Sequence, residues 1–166
     1  MNALMTHSQV TLLGTPVVPG VAHAPALRVR GEVDPVAIER FGDGGFADAE
    51  TALAAYDVAA ETVANGFAQK AARADGAAAE VLTASAGLAR DKGLRAAVKK
   101  SLTGGAPIVA AVHGAVEQFV AVFTSMGGLM AERATDLRDI ERRVVAHLVG
   151  EPEPGEMSLI DLNFKK

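Results

Sequence analysis

Apolar residues recur three and four positions apart through most of the chain, and residues 132–150, ERATDLRDIERRVVAHLVG, show the pattern most clearly. Leu137, Ile140, Val144 and Leu148 fall on one stripe of a helix. Arg133 extends that stripe towards the helix start. A guanidinium does not shed its charge and is costly to bury alone, so it is expected at the rim of a packed surface with an anionic or hydrogen-bonding partner.

The same periodicity predicts further helices upstream. A short one begins at Asp34, which can cap the first amides, with Pro35 at the first helical position where no hydrogen bond is lost. The cluster Gly42-Asp43-Gly44-Gly45 breaks it. From Phe46 to about Ala74 the stripe is Ala49, Leu53, Tyr56, Ala60, Val63 and Phe67, with Gly66 as a weak spot and Asp75-Gly76 as the turn. A helix over about 77–90 carries Val81, Leu82 and Leu88 among small residues that allow close approach. Asp91 caps the next, through Leu94, Val98 and Leu102, which Thr103-Gly104-Gly105 ends. Pro107 opens another through Ile108, Val112, Phe119, Val122 and Phe123, and Gly127-Gly128 separates it from the last.

Residues 9–30 read differently. Val10, Leu12, Val17, Val21 and Leu27 are interrupted by Pro16, Pro19, Gly20 and Pro25, a punctuation that excludes helix and predicts extended structure with a turn at Pro19-Gly20. The tail GEPEPGEM, residues 150–157, is a linker by composition. The expected organisation is mainly α: an extended segment over 1–32, an antiparallel helical bundle over 33–150 and a tail over 151–166.

Composition narrows the chemistry. Aromatic residues make up 4% and Trp is absent, which favours closely packed helices over a sandwich of large side chains. A net charge of −4 argues against nucleic acid as the main partner. There is no Cys, hence no disulfide framework and no thiolate chemistry. No uninterrupted apolar run approaches the ~20 residues that cross a bilayer, and residues 1–5 lack the basic start of a signal peptide, so no membrane association and a cytoplasmic location are expected. Of the four histidines, His7, His23, His113 and His147, none has a helically spaced second His, so no metal site is expected.

Four blocks resemble enzyme I of the bacterial phosphotransferase system. LGTPVVPGVAHAPAL, residues 13–27, is similar to that family's opening strand and turn. AAAEVLTASAGLARDKGL, residues 77–94, resembles its partner-receiving helix pair. Residues 132–150 resemble its last bundle helix, and SLIDL, residues 158–162, the return into its phosphohistidine domain. The resemblance implies that residues 1–32 are the first strand of an incomplete phosphohistidine domain and that the bundle docks the phosphocarrier HPr. The family's Gly-Gly-x-Thr-Ser-His motif does not occur here, since none of Gly44-Gly45, Gly104-Gly105 and Gly127-Gly128 is followed by Thr-Ser-His. No catalytic residue is therefore expected, the chain reads as an amino-terminal fragment or truncated relative, and magnesium belongs to the family's carboxy-terminal barrel.

By match to the family, Leu88, Leu94, Leu129, Met130, Arg133 and Arg138 are the expected HPr-docking residues. Leu88, Leu94 and Met130 are equally readable as core. Two departures stand out: Ala77-Ala78-Ala79 where relatives present glutamates, and Gly87 where they place a larger apolar residue. Two other functions fit the pattern: a non-catalytic scaffold, and a histidine phosphotransfer bundle with His113 as phosphoacceptor.

Overall fold

The computed structural model describes residues 33–41 and 45–154; the expected amino-terminal strand and residues 155–166 lie outside them. Among the described residues there are six helices: α1 (Pro35–Phe41), α2 (Ala49–Ala71), α3 (Gly76–Ala89), α4 (Lys92–Thr103), α5 (Ile108–Met126) and α6 (Gly128–Val149). The mainly α bundle predicted from periodicity is what forms.

Each boundary has a local cause. The Asp34 carboxylate accepts from the Val36 amide at 2.9 Å, with Pro35 at the first helical position. Asp48 accepts from Thr51 and Asp91 from Leu94, both at 2.7 Å. Asp48 was not foreseen, and it starts α2 three residues later than Phe46, while the helix ends at Ala71 rather than Ala74. Between α5 and α6 there is a single residue, Gly127, and both it and Gly128 have positive φ, 71° and 54°. A side chain would be strained at either position, so consecutive glycines are what allow so tight a reversal.

Ion pairs give the topology. Asp57 meets Arg95 at 2.7 Å and Glu61 meets Arg90 at 2.8 Å, and Ala49 shares a groove with Lys99 and Thr103, so residue numbers rise along α2 as they fall along the segment from Thr103 back to Arg90. Arg90 stands at the α3–α4 junction and also donates to Asn65 at 2.8 Å. The 23-residue α2, roughly 35 Å long, is thus covered by two shorter helices in succession. On α5 and α6, Glu117 meets Arg138 at 3.1 Å and His113 meets Glu141 at 2.7 Å, again antiparallel. α2 packs chiefly on α3 and α5 on α6; α4 joins the two hairpins, and α6 also touches α2 and α3.

The core follows the stripes. Leu53, Tyr56, Ala60, Val63 and Phe67 of α2 are buried, as are Leu94, Val98 and Leu102 of α4 and Leu137, Ile140, Val144 and Leu148 of α6. α3 contributes Ser85, Ala86 and Ala89, small residues that let it lie close to α2. The Ser85 hydroxyl is satisfied by the Val81 carbonyl at 3.1 Å. Two apolar residues of the predicted stripes face outwards instead: Val81 is 49% exposed and Val122 55%. By length and composition α5 could cross a membrane. Its residues Ala111, Val112, Ala115, Val116 and Val120 are instead buried inside the bundle, and Glu117 is ion-paired on its flank.

The tail corrects the sequence reading. Residues 151–154 fold back on the bundle rather than leaving it as a linker: the Glu151 amide donates to the Ala146 carbonyl at 2.9 Å, and Pro154 is buried.

Candidate functional site

Of the seven large apolar side chains exposed among the described residues, Val36, Val58 and Val81 lie singly on α1, α2 and α3, and the other four lie on either side of the α5–α6 reversal. Val122 and Met126 lie in the last turns of α5, and Leu129, 79% exposed, and Met130, 37%, in the first turn of α6. The two glycines between them bring the two helix ends together, and exposed apolar groups so concentrated are unusual enough to ask for a partner. Inward of these, Phe119 and Phe123 stand edge to face, ring centres 6.4 Å apart. The first turn of α4 lies against Phe119: a Cβ on Gly93 would sit 3.1 Å from that ring. Leu88, five residues earlier, is half-buried and packs on the core.

Of the residues predicted to dock, Leu129 and Met130 are accessible and adjacent. Leu94 is not available: at 2% exposure it belongs to the core with Val98 and Leu102, because the amide capped by Asp91 fixes the first turn of α4 with that side chain inwards. Arg133 is one-third exposed and donates to Asp136 at 2.9 Å, an anionic partner at the rim of the packed stripe. Arg138 sits five residues further and holds Glu117 with two hydrogen bonds, 3.1 and 3.3 Å, a pairing that keeps the Glu117 carboxyl below its usual range. Gly87 is exposed, with nothing within 4 Å of where a side chain would start, so the position is open space on this surface.

Sequence reading missed Val122 and Met126 as members of the patch. Val122 continues the apolar run but is off the buried phase of Val112, Val116 and Val120, so it faces outwards. Sequence reading also gave His113 no carboxylate; the structure supplies Glu141, 28 positions away on α6, with Nδ1 2.7 Å from Oε1. Phosphoryl chemistry on that exposed imidazole would place a dianion beside both Glu141 and Glu117, which disfavours it. Among the described residues no three His, Asp or Glu side chains converge as metal ligands. Tyr56 is equally silent as an acid or base, since burial pushes its phenol up to about 12.

An open groove of about 530 Å³ lies elsewhere, between α2 and α4, lined by Glu50, Leu53, Asp57, Arg95 and Lys99 among others. Asp57 and Arg95 pair with each other within it. It is a seam between two helices, without a buried unpaired group that a ligand would complete.

The geometry defines an all-α module of long amphipathic hairpins with an apolar surface left open at one reversal. Its sequence matches the family described as PEP-utilising enzyme, N-terminal, over residues 13–133, and the chain belongs to that family. It is also similar to the phosphoenolpyruvate-protein phosphotransferase of Streptomyces coelicolor (strain ATCC BAA-471 / A3(2) / M145), 36% identical over 108 residues. That alignment covers 65% of this chain and 19% of the relative, so the chain spans about a fifth of the protein it matches. The resemblance to enzyme I is thereby borne out.

Proposed function

We propose that this bundle is the docking module of a phosphotransfer enzyme and receives the phosphocarrier HPr on the open surface at the α5–α6 reversal. The observation that carries this reading is the uncovered cluster of Val122, Met126, Leu129 and Met130 in a chain of the PEP-utilising enzyme family. Leu129 and Met130 supply desolvated apolar anchors, and Arg133 and Arg138 a polar rim, the anatomy of a small transient interface. The bundle contributes position rather than chemistry. Holding a carrier histidine in line with a phosphohistidine outside these residues replaces a bimolecular encounter, an effect worth up to ~7 to 11 kcal/mol in well-oriented systems. No cofactor is assigned to the bundle, magnesium being expected with phosphoenolpyruvate elsewhere in the parent enzyme, and the compartment of such a carrier is the cytoplasm.

The test is a titration of the isotopically labelled chain with HPr of the same organism, followed by amide shifts. Changes centred on Met126, Leu129, Met130 and Arg133 support docking. Changes confined to the α2–α4 groove, or none at millimolar carrier, reject it and return the chain to a scaffold role.

A further inference from the structure

Among the described residues, the most densely built polar cluster lies at the far end of α6 from the proposed docking surface. Gly150 takes the left-handed conformation, φ 74°, and turns the chain back on the helix it has just left. The Glu153 carboxylate then reaches two residues of α6: Arg143 Nη1 at 2.6 Å and His147 Nε2 at 2.8 Å. Arg143 is itself held. Its Nε donates to Asp139 at 2.8 Å, and its guanidinium stacks over the Phe67 ring of α2 at 5.2 Å. Glu153 and Arg143 are only 11% and 15% exposed, whereas most ion pairs elsewhere in the bundle have side chains a third to a half exposed.

A solvated pair on a linker would contribute little and would order nothing. This one differs in three respects: the arginine is fixed before the glutamate arrives, water is largely excluded, and the glutamate accepts from two donors at once. Three backbone features act in the same direction, namely the Gly150 reversal, the Glu151 amide bonded to Ala146 and the burial of Pro154.

We propose that Glu153 is a clasp that makes residues 151–154 part of the bundle, so that the chain departs from a fixed point beside Arg143 and Phe67 rather than from a free joint at the end of α6. In a protein whose relative is several times longer, this sets the direction in which the bundle is carried. Because Met130 and Arg143 stand on the same continuous helix, it also fixes the exit relative to the docking surface. The proposal is independent of which partner that surface binds.

The test is amide hydrogen exchange on the full chain and on Glu153→Gln and Glu153→Ala. With the clasp removed, the Glu151 amide should exchange at least ~10-fold faster, as expected for loss of charge-assisted bonds from a segment that opens locally. Amides of Leu137 and Ile140 should keep their protection. Unchanged exchange at Glu151 in both variants would overturn the proposal, as would a uniform loss of protection across α6, which would make Glu153 a general stabiliser of the fold. His147→Ala leaves the Arg143 fork in place and should give an intermediate acceleration; an effect larger than that of Glu153→Ala would also refute the clasp.

Discussion

Leu94→Ala and Leu129→Ala remove the same atoms from two residues that sequence matching puts in one set, and the structure separates their consequences. Leu94 is 2% exposed, locked in the first turn of α4. Truncation withdraws roughly three methylene equivalents from the core, about 2.4 kcal/mol of transfer free energy, and the cavity left behind brings the loss to about 3 to 4 kcal/mol. For a bundle of this size that lowers the unfolding temperature by about 10 °C or more. Leu129 is 79% exposed, so truncation changes stability by at most about 0.5 kcal/mol, and alanine's helix propensity offsets part of that. As an anchor of the docking surface it should instead weaken HPr binding by roughly 1 to 2 kcal/mol, about 5- to 30-fold. Denaturant unfolding read by circular dichroism, with calorimetric titration of the same samples, gives both quantities. Similar stability losses in the two variants would refute the division into core and surface. A Leu129 variant that binds HPr as tightly as the parent would refute its assignment as an anchor.

Three further outcomes are expected. Arg133→Glu places a carboxylate beside Asp136 on a half-buried turn, costing about 0.5 kcal/mol in the fold while weakening HPr binding by about tenfold; equal affinity of the two proteins would remove Arg133 from the interface. Gly87 lies within α3 with open space around it, so Gly87→Ala should raise stability by about 0.8 to 1 kcal/mol and Gly87→Met should also tighten HPr binding, both read from unfolding midpoints and titration. Burial pushes the Glu153 carboxyl up, but hydrogen bonds from His147 and Arg143 outweigh it and hold the group below its ordinary value of 4.5. Its contribution to stability is therefore complete above about pH 4.5 and is lost as the pH falls through the lowered value. Because Glu153 holds only residues 151–154, the loss should appear as local opening: protection of the Glu151 amide, corrected for intrinsic rate, should fall below about pH 4.5 in the parent and not in Glu153→Gln, and the same fall in both would contradict the sign.

What could be read from the residues alone was set by how far each signal acts along the chain. The stripe Leu137, Ile140, Val144, Leu148 needs only the helical repeat, and all four are buried. The caps Asp34 and Asp91 act within three residues and were equally visible. Val122 departs from its stripe, and Leu94 is buried on its stripe rather than free to dock, for the opposite reason. Both are apolar and helical, and whether such a side chain is covered depends on which helix arrives from elsewhere in the sequence. α4 and α5 meet at Gly93 and Phe119, 26 positions apart, and that contact decides which side of each helix is left open. The tail shows the same principle with charges. GEPEPGEM has the composition of a linker, and two prolines and two glycines offer no periodic pattern, yet the acid at position 153 finds an arginine already fixed by Asp139 and Phe67. An amphipathic stripe announces that some face will be covered. Which residues remain for a partner is settled by the packing of the hairpins, and for that reason the proposed docking surface rests on the glycine reversal at 127–128 more than on the leucines.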